Sequence, residues 1–152
     1  MINDKIIWLT GQPGSGKTTL ANELKNRIEK NSKDVMIVDG DDLRNITTNK
    51  DYSRKGRENN IRTAQKIAKF LFDKNFFTIV SLVAPYREIR EKFKKIAPVF
   101  EVYLKTDEIR GREHFFAKDY EKPEVNFLEI DTGEKNINEC VDMIYNEFNS
   151  ER

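Results

Sequence analysis

Gly11, Gly16, Lys17 and Thr18 fill the pattern G-x-x-x-x-G-K-[ST] without a mismatch, inside the stretch GQPGSGKTT. A loop of this composition binds phosphates, because successive backbone N–H groups converge inward and the helix that follows adds its positive end. Gly14 and Gly16 let the backbone approach the ligand, and Pro13, Ser15 and Thr19 complete the loop. The Lys17 ammonium is expected at the β- and γ-phosphates of ATP and the Thr18 hydroxyl on Mg²⁺. A second signal is Asp39-Gly40-Asp41-Asp42-Leu43-Arg44. Phosphoryl transfer to an alcohol needs a metal, a carboxylate for the hydroxyl and fixed positive charge for an anionic substrate. Asp39 is expected near Mg²⁺ or its waters, Asp41 at the acceptor hydroxyl and Arg44 on a substrate phosphate. The same residues also read as a helix N-cap cluster followed by a solvated arginine. A third, weaker signal is Arg57 with Asn60. Three residues apart, they share one face of a helix start, where a guanidinium and an amide can grip an anion and a base edge.

These residues need elements to hold them. The apolar run Ile6 to Leu9 precedes the loop, and Leu20, Ala21, Leu24 and Ile28 follow it at helical spacing, so strand, loop and helix succeed one another. The helix is expected from about Gly16 to Lys30. Val35 to Val38 predicts a buried strand ending in the acidic run, and polar, patternless Asn45 to Ser53 predicts a loop. Ile61, Ala64, Ile67, Ala68, Leu71 and Phe72 predict a helix from about Arg57 to Lys74, stopped at Asn75. Phe76 to Val83 reads as a third strand closed by Ala84-Pro85-Tyr86. A charged helix over Tyr86 to Lys95 follows, with Ile89, Phe93 and Ile96 inward, and then a strand over Val99 to Leu104. Beyond Thr106 the pattern decays, and only a short helix near Asp107 to Phe116 is expected. Phe127 to Ile130 predicts a fifth strand and Ile137 to Phe148 the last helix.

Strands alternating with helices imply right-handed βαβ units: one α/β domain over residues 1–152, with a parallel five-stranded sheet and helices on both faces. Ligands in such sheets lie at the carboxyl ends of the strands. The loops after Thr10, Val38, Val83 and Leu104 therefore share one rim.

Composition narrows the rest. With 27 basic and 26 acidic residues the formal charge is +1, which offers no global field for nucleic acid or an anionic membrane. The lone Cys140 excludes an intramolecular disulfide and reads as a buried small hydrophobe. A strand begins almost at the N-terminus, leaving no room for a signal peptide, and no apolar run approaches the ~20 residues that span a bilayer. The expectation is a cytoplasmic protein.

In order and spacing, GQPGSGKTT, VDGDDLR, YSRKGRENNIRT, SLVAPYR, EVYLKT and IDTGEKNINECVDMI resemble the adenylylsulfate kinase family over nearly the whole chain. The resemblance implies a P-loop NTPase fold of the kinase type, often a homodimer. It also implies transfer from MgATP to the ribose 3′-hydroxyl of adenosine 5′-phosphosulfate. Asp39 and Asp41 then match the family's carboxylates near the metal and the acceptor hydroxyl. Arg44, Arg57 and Asn60 match residues that bind the nucleotide substrate, Tyr52 an aromatic near its base, and Val83, Ala84 and Pro85 the substrate-contacting strand end.

Two departures stand out. Gly56 replaces the acidic residue that usually precedes the arginine matching Arg57. The lid, about residues 107–123, is shortened: Arg112 leads through Glu113-His114-Phe115-Phe116-Ala117-Lys118 to Pro123 and resembles only the end of the family's basic segment. Arg110, Arg112 and Lys118 are the candidate charges there, and Phe115 or Phe116 the candidate base stack. Two phenylalanines clamping a loop to the core read as well. His114 is expected to be a surface or lid residue. Because the altered parts are those that read the acceptor, a kinase of a cytidine diphosphate derivative is the alternative, and a nucleotide-binding module without turnover is a further one.

Overall fold

A computed structural model of the chain describes residues 1–31, 34–108, 110–111, 113 and 116–150. In chain order the elements are β1 (Ile6–Thr10), α1 (Lys17–Glu29), β2 (Val35–Asp39), α2 (Gly40–Thr47), α3 (Arg54–Asp73), β3 (Phe77–Ser81), α4 (Arg87–Lys94), β4 (Val99–Lys105), β5 (Phe127–Asp131) and α5 (Ile137–Ser150). The strands form one five-stranded sheet ordered β2-β3-β1-β4-β5. Every pairing is parallel. All the residues of β1 are buried, as a strand covered on both faces must be.

Alternation along each strand divides the core in two. Ile7 and Leu9 of β1 and Ile79 of β3 face α1 and α5, meeting Leu20, Leu24 and Ile28 of α1 and Val141, Ile144 and Phe148 of α5. Ile6 and Trp8 face the other way, onto Ile61, Ala64 and Ala68 of α3 and Ile89 and Phe93 of α4. Trp8 meets Phe93 edge to face at 5.7 Å. Fully burying each such large side chain stabilises the fold by ~1.5–3 kcal/mol. Cys140 sits 2% exposed in the first of these clusters, as its helical spacing suggested, and burial pushes its thiol above the ordinary cysteine range.

Three expectations change. The polar stretch after Arg44 is not wholly loop: α2 continues to Thr47 and ends at Thr48 in a left-handed conformation, φ 54°. Its propensity is poor, but Asp39 caps its start and Leu43 anchors it to the core. Ile96 lies beyond the end of α4 and is 67% exposed rather than inward. No α-helix forms among the described residues of 107–123, where the backbone is instead held by side chains from elsewhere. Among the described residues no helix is long and apolar enough to cross a membrane.

Candidate active site

The phosphate loop joins β1 to α1. Gly16 holds φ 100° as the residue before the first helical turn, a left-handed position that a side chain would strain. Unlike α2 and α3, α1 has no side-chain cap, and its first turn carries no acidic residue. Its leading N–H groups are left for an anion. Lys17 runs back beneath the loop: its Nζ donates to the Gly11 carbonyl at 3.0 Å, to the Gln12 carbonyl at 2.9 Å and to Ser15 Oγ at 3.4 Å. Gly11 and Ser15 lie at the floor of the loop, with Gly11 against the Leu104 carbonyl.

At the carboxyl end of β2, Asp39 uses its two oxygens differently. Oδ2 accepts from the backbone N–H groups of Asp41 at 3.1 Å and Asp42 at 3.3 Å, capping α2. Oδ1 accepts from Thr18 Oγ1 at 3.1 Å. The helix-cap reading of this run thus holds on one oxygen, while the other oxygen lies against the first turn of α1. Among the described residues no group of three or more His, Cys, Asp or Glu can hold a metal. A hydroxyl beside a single carboxylate suits an ion that takes its remaining oxygens from water and phosphate.

Across the cleft lies Tyr52. The Arg44 guanidinium sits 4.0 Å from the centre of its ring and that of Arg57 5.9 Å away. Arg57 Nε also donates to the Tyr52 carbonyl at 2.9 Å. Arg44 is fixed by the carbonyls of Asn49, at 3.2 Å, and Asp51, at 3.0 Å. Burial pulls its guanidinium below the ordinary arginine value, helped by the like charge of Arg57 and opposed by Tyr52 and Asp41. Gly56 now has a reason: a Cβ there would overlap the Asp51 carbonyl, so the Tyr52 loop can lie flush on the start of α3 only over glycine. Asn60 is 5% exposed and its Nδ2 reaches the Gly40 carbonyl at 3.5 Å. One cavity of about 330 Å³ is lined by Lys17, Thr18, Asp39, Asp41, Arg44, Tyr52, Arg57 and Asn60 together with Pro13, Gly14, Gly16, Thr19 and Val83 to Pro85.

A family model described as adenylylsulphate kinase matches residues 3–131. The chain belongs to the adenylylsulphate kinase family. The adenylyl-sulfate kinase of Prochlorococcus marinus is 34% identical, with 91% of this chain and 80% of that protein covered. The cytidine diphosphoramidate kinase of Campylobacter jejuni is 30% identical, with 93% of this chain and 95% of that protein covered. The solved Mycobacterium tuberculosis APS kinase CysC in complex with AMPPNP and APS matches with a TM-score of 0.81 at 22% identity, over 93% of this chain and 95% of that one, a likeness that carries the P-loop fold. As a member of this family the chain is a phosphotransferase with an alcohol group as acceptor.

In this adenylylsulphate kinase relative the segment after β4 is held by residues of the site. Gln12 makes two bonds to one residue of it: Nε2 donates to the Ala117 carbonyl at 2.8 Å and Oε1 accepts from the Ala117 N–H at 2.9 Å. Tyr120 Oη meets Thr10 Oγ1 at 2.8 Å, while Thr10 donates to the Val83 carbonyl at 2.7 Å. The Glu121 N–H reaches the Pro85 carbonyl at 2.8 Å. Arg110 lies on the phosphate loop itself, donating to the Gly14 carbonyl at 3.0 Å and the Thr132 carbonyl at 2.9 Å, and it lines the cavity. Beneath all this, buried Arg90 pairs with Glu101 at 3.2 Å, donates to the Ala84 carbonyl at 2.5 Å and donates to the Glu121 carbonyl. Ala84 needs such a brace, being a non-glycine residue at φ 44° in the cavity wall.

Phe116 is 38% exposed and is not among the residues lining the cavity; it adjoins Ala117, which Gln12 holds. Phe115, Arg112 and His114 lie outside the described residues. The sequence reading missed Gln12 and Arg90. Gln12 occupies a position the loop pattern leaves open, and Arg90 looks in sequence like one more charge on a charged helix.

Proposed function

We propose that this kinase moves the γ-phosphoryl group of ATP to the ribose 3′-hydroxyl of a 5′-modified nucleotide of the adenosine 5′-phosphosulfate type. The observation that carries the reading is the single cleft in which the phosphate loop, Asp39, Asp41 and the Arg44–Tyr52–Arg57 cluster meet. On the donor side, Lys17 trades the Gly11 and Gln12 carbonyls for phosphate oxygens, exchanging neutral acceptors for charged ones. The backbone N–H groups at the start of α1 receive the remaining phosphate charge. Thr18 and Asp39 are the residues that would hold Mg²⁺, whose oxygen preference they fit. When bound, the ion would neutralise charge developing on the phosphates. On the acceptor side, Asp41 orients the hydroxyl and takes its proton. Arg44 and Arg57 meet the anionic 5′ group, Tyr52 stacks on the base and Asn60 bonds its edge or the ribose. Catalysis rests on this positioning and on charge more than on covalent chemistry.

A second reading has one observation in its favour. The Campylobacter jejuni cytidine diphosphoramidate kinase is 30% identical over 93% of this chain, close to the 34% over 91% of the Prochlorococcus marinus adenylyl-sulfate kinase. A coupled assay of ADP release against adenosine 5′-phosphosulfate and a panel of cytidine nucleotides separates the two. Saturable turnover of the phosphosulfate at micromolar levels supports the first reading. Turnover of a cytidine diphosphate derivative alone supports the second. Wild-type protein that binds ATP yet phosphorylates no nucleotide would leave a binding module.

A further inference from the structure

Ser81 ends β3, the strand between β1 and β2, and it is 2% exposed. Its Oγ has no hydrogen-bond partner among the described residues. An unsatisfied buried hydroxyl costs ~1–3 kcal/mol, so serine is an expensive choice where the rest of the strand is apolar or, at Thr78, hydrogen-bonded. Its position gives the hydroxyl a use. In the parallel ladder Ser81 is in register with Asp39 on one side and with Leu9 on the other. Residues in register share a face, and alternation from Phe77 and Ile79 puts that face toward α1. The first turn of α1 carries Thr18, already bonded to Asp39. Ser81 also lines the cavity.

We infer that the Ser81 hydroxyl belongs to the magnesium site, where it accepts a hydrogen bond from a water in the ion's shell beside Thr18 and Asp39. The inference rests on the donor half of the proposed function. Mg²⁺ keeps several of its waters and needs polar groups to orient them. Asp39 has little capacity to spare, since Oδ2 accepts two backbone N–H groups of α2 and Oδ1 accepts from Thr18. Ser81 is the next oxygen along the same row, and it brings no charge that would repel the phosphates. Being buried, it holds its place without the entropy loss of a mobile surface group.

The test is binding, without acceptor or turnover. Wild type and Ser81→Ala are titrated calorimetrically with AMPPNP in the presence of Mg²⁺ and again in EDTA, and both are melted without nucleotide. The expected result is affinity weakened about three- to tenfold with Mg²⁺, the share of one hydrogen bond, unchanged affinity in EDTA, and a melting temperature equal to or above wild type. An unchanged affinity with Mg²⁺ overturns the inference. An equal loss with and without Mg²⁺ also overturns it, since Ser81 would then act on the phosphates or the fold. Wild-type protein that gains no affinity from Mg²⁺ overturns the donor reading itself, an outcome distinct from any behaviour of the variant.

Discussion

The two halves of the cleft are built by opposite means. In the proposed assignment the donor half is one continuous stretch, β1, loop and α1, whose binding groups are mostly backbone N–H groups at an uncapped helix start. The acceptor half is made of side chains from separate segments: Asp41 and Arg44 on α2, Tyr52 in the loop after it, Arg57 and Asn60 on α3, and the Val83–Pro85 turn after β3. Backbone geometry hardly changes when a surface residue is replaced, so the donor half tolerates drift. Side chains from several segments can be exchanged one at a time. An enzyme built this way keeps its phosphoryl donor and can change its acceptor, which matches the different substrates named for two relatives of similar identity.

Four variants test that division, from the largest expected effect to the smallest. Asp41→Asn, at the seam between the halves, is expected to lower kcat by about 10²–10⁴, the range for loss of a general base. MgAMPPNP affinity by calorimetry should stay near wild type, and a matching loss of nucleotide affinity would assign Asp41 to the donor half. Arg90→Ala leaves Glu101, 2% exposed, with Lys94 at 2.6 Å as its remaining cation. It is expected to cost ~1–3 kcal/mol in urea unfolding, for the Ala84 and Glu121 carbonyls left without their donor. What remains folded should have a raised acceptor KM, because Ala84 and Glu121 lose their brace. Tyr52→Ala should raise the acceptor KM by the ~1–3 kcal/mol of one base stack and leave the ATP KM unchanged, since the ring packs with Arg44 and Arg57 on the acceptor side.

Tyr120→Phe probes the seam from the lid. Burial pushes the Tyr120 phenol well above the ordinary tyrosine value. In the unfolded chain the phenol ionises near pH ~10. Its contribution to stability is therefore complete below that pH and declines as pH rises, because the unfolded state then releases a proton that the folded state retains. The phenylalanine variant should lose about 1 kcal/mol at neutral pH with the bond to Thr10 and should show a shallower fall in melting temperature above pH ~10 than wild type does. Identical alkaline profiles would mean that Tyr120 is not what carries that limb.

The sequence alone was enough for the strand, loop and helix around Lys17 and for most of the sheet. The loop pattern is local, a buried parallel strand is a short apolar run, and α1, α3 and α5 repeat their apolar residues at helical spacing. It was also enough to gather Asp39, Asp41, Arg44, Arg57 and Asn60 on one rim, because strand order and the carboxyl-end rule depend on topology more than on contact detail. Tertiary structure decided what each polar residue answers to. Asp39 divides its oxygens between a helix cap and Thr18, Gly56 makes room for Asp51, Gln12 grips Ala117, and Arg90 is a buried brace on a helix whose Glu88 and Lys92 are exposed. Beyond the Asp39 cap, which the local pattern already offered, these do not follow from spacing, because Asp39 and Thr18, Gln12 and Ala117, and Arg90 and Glu101 meet only when the sheet and its two cores have formed.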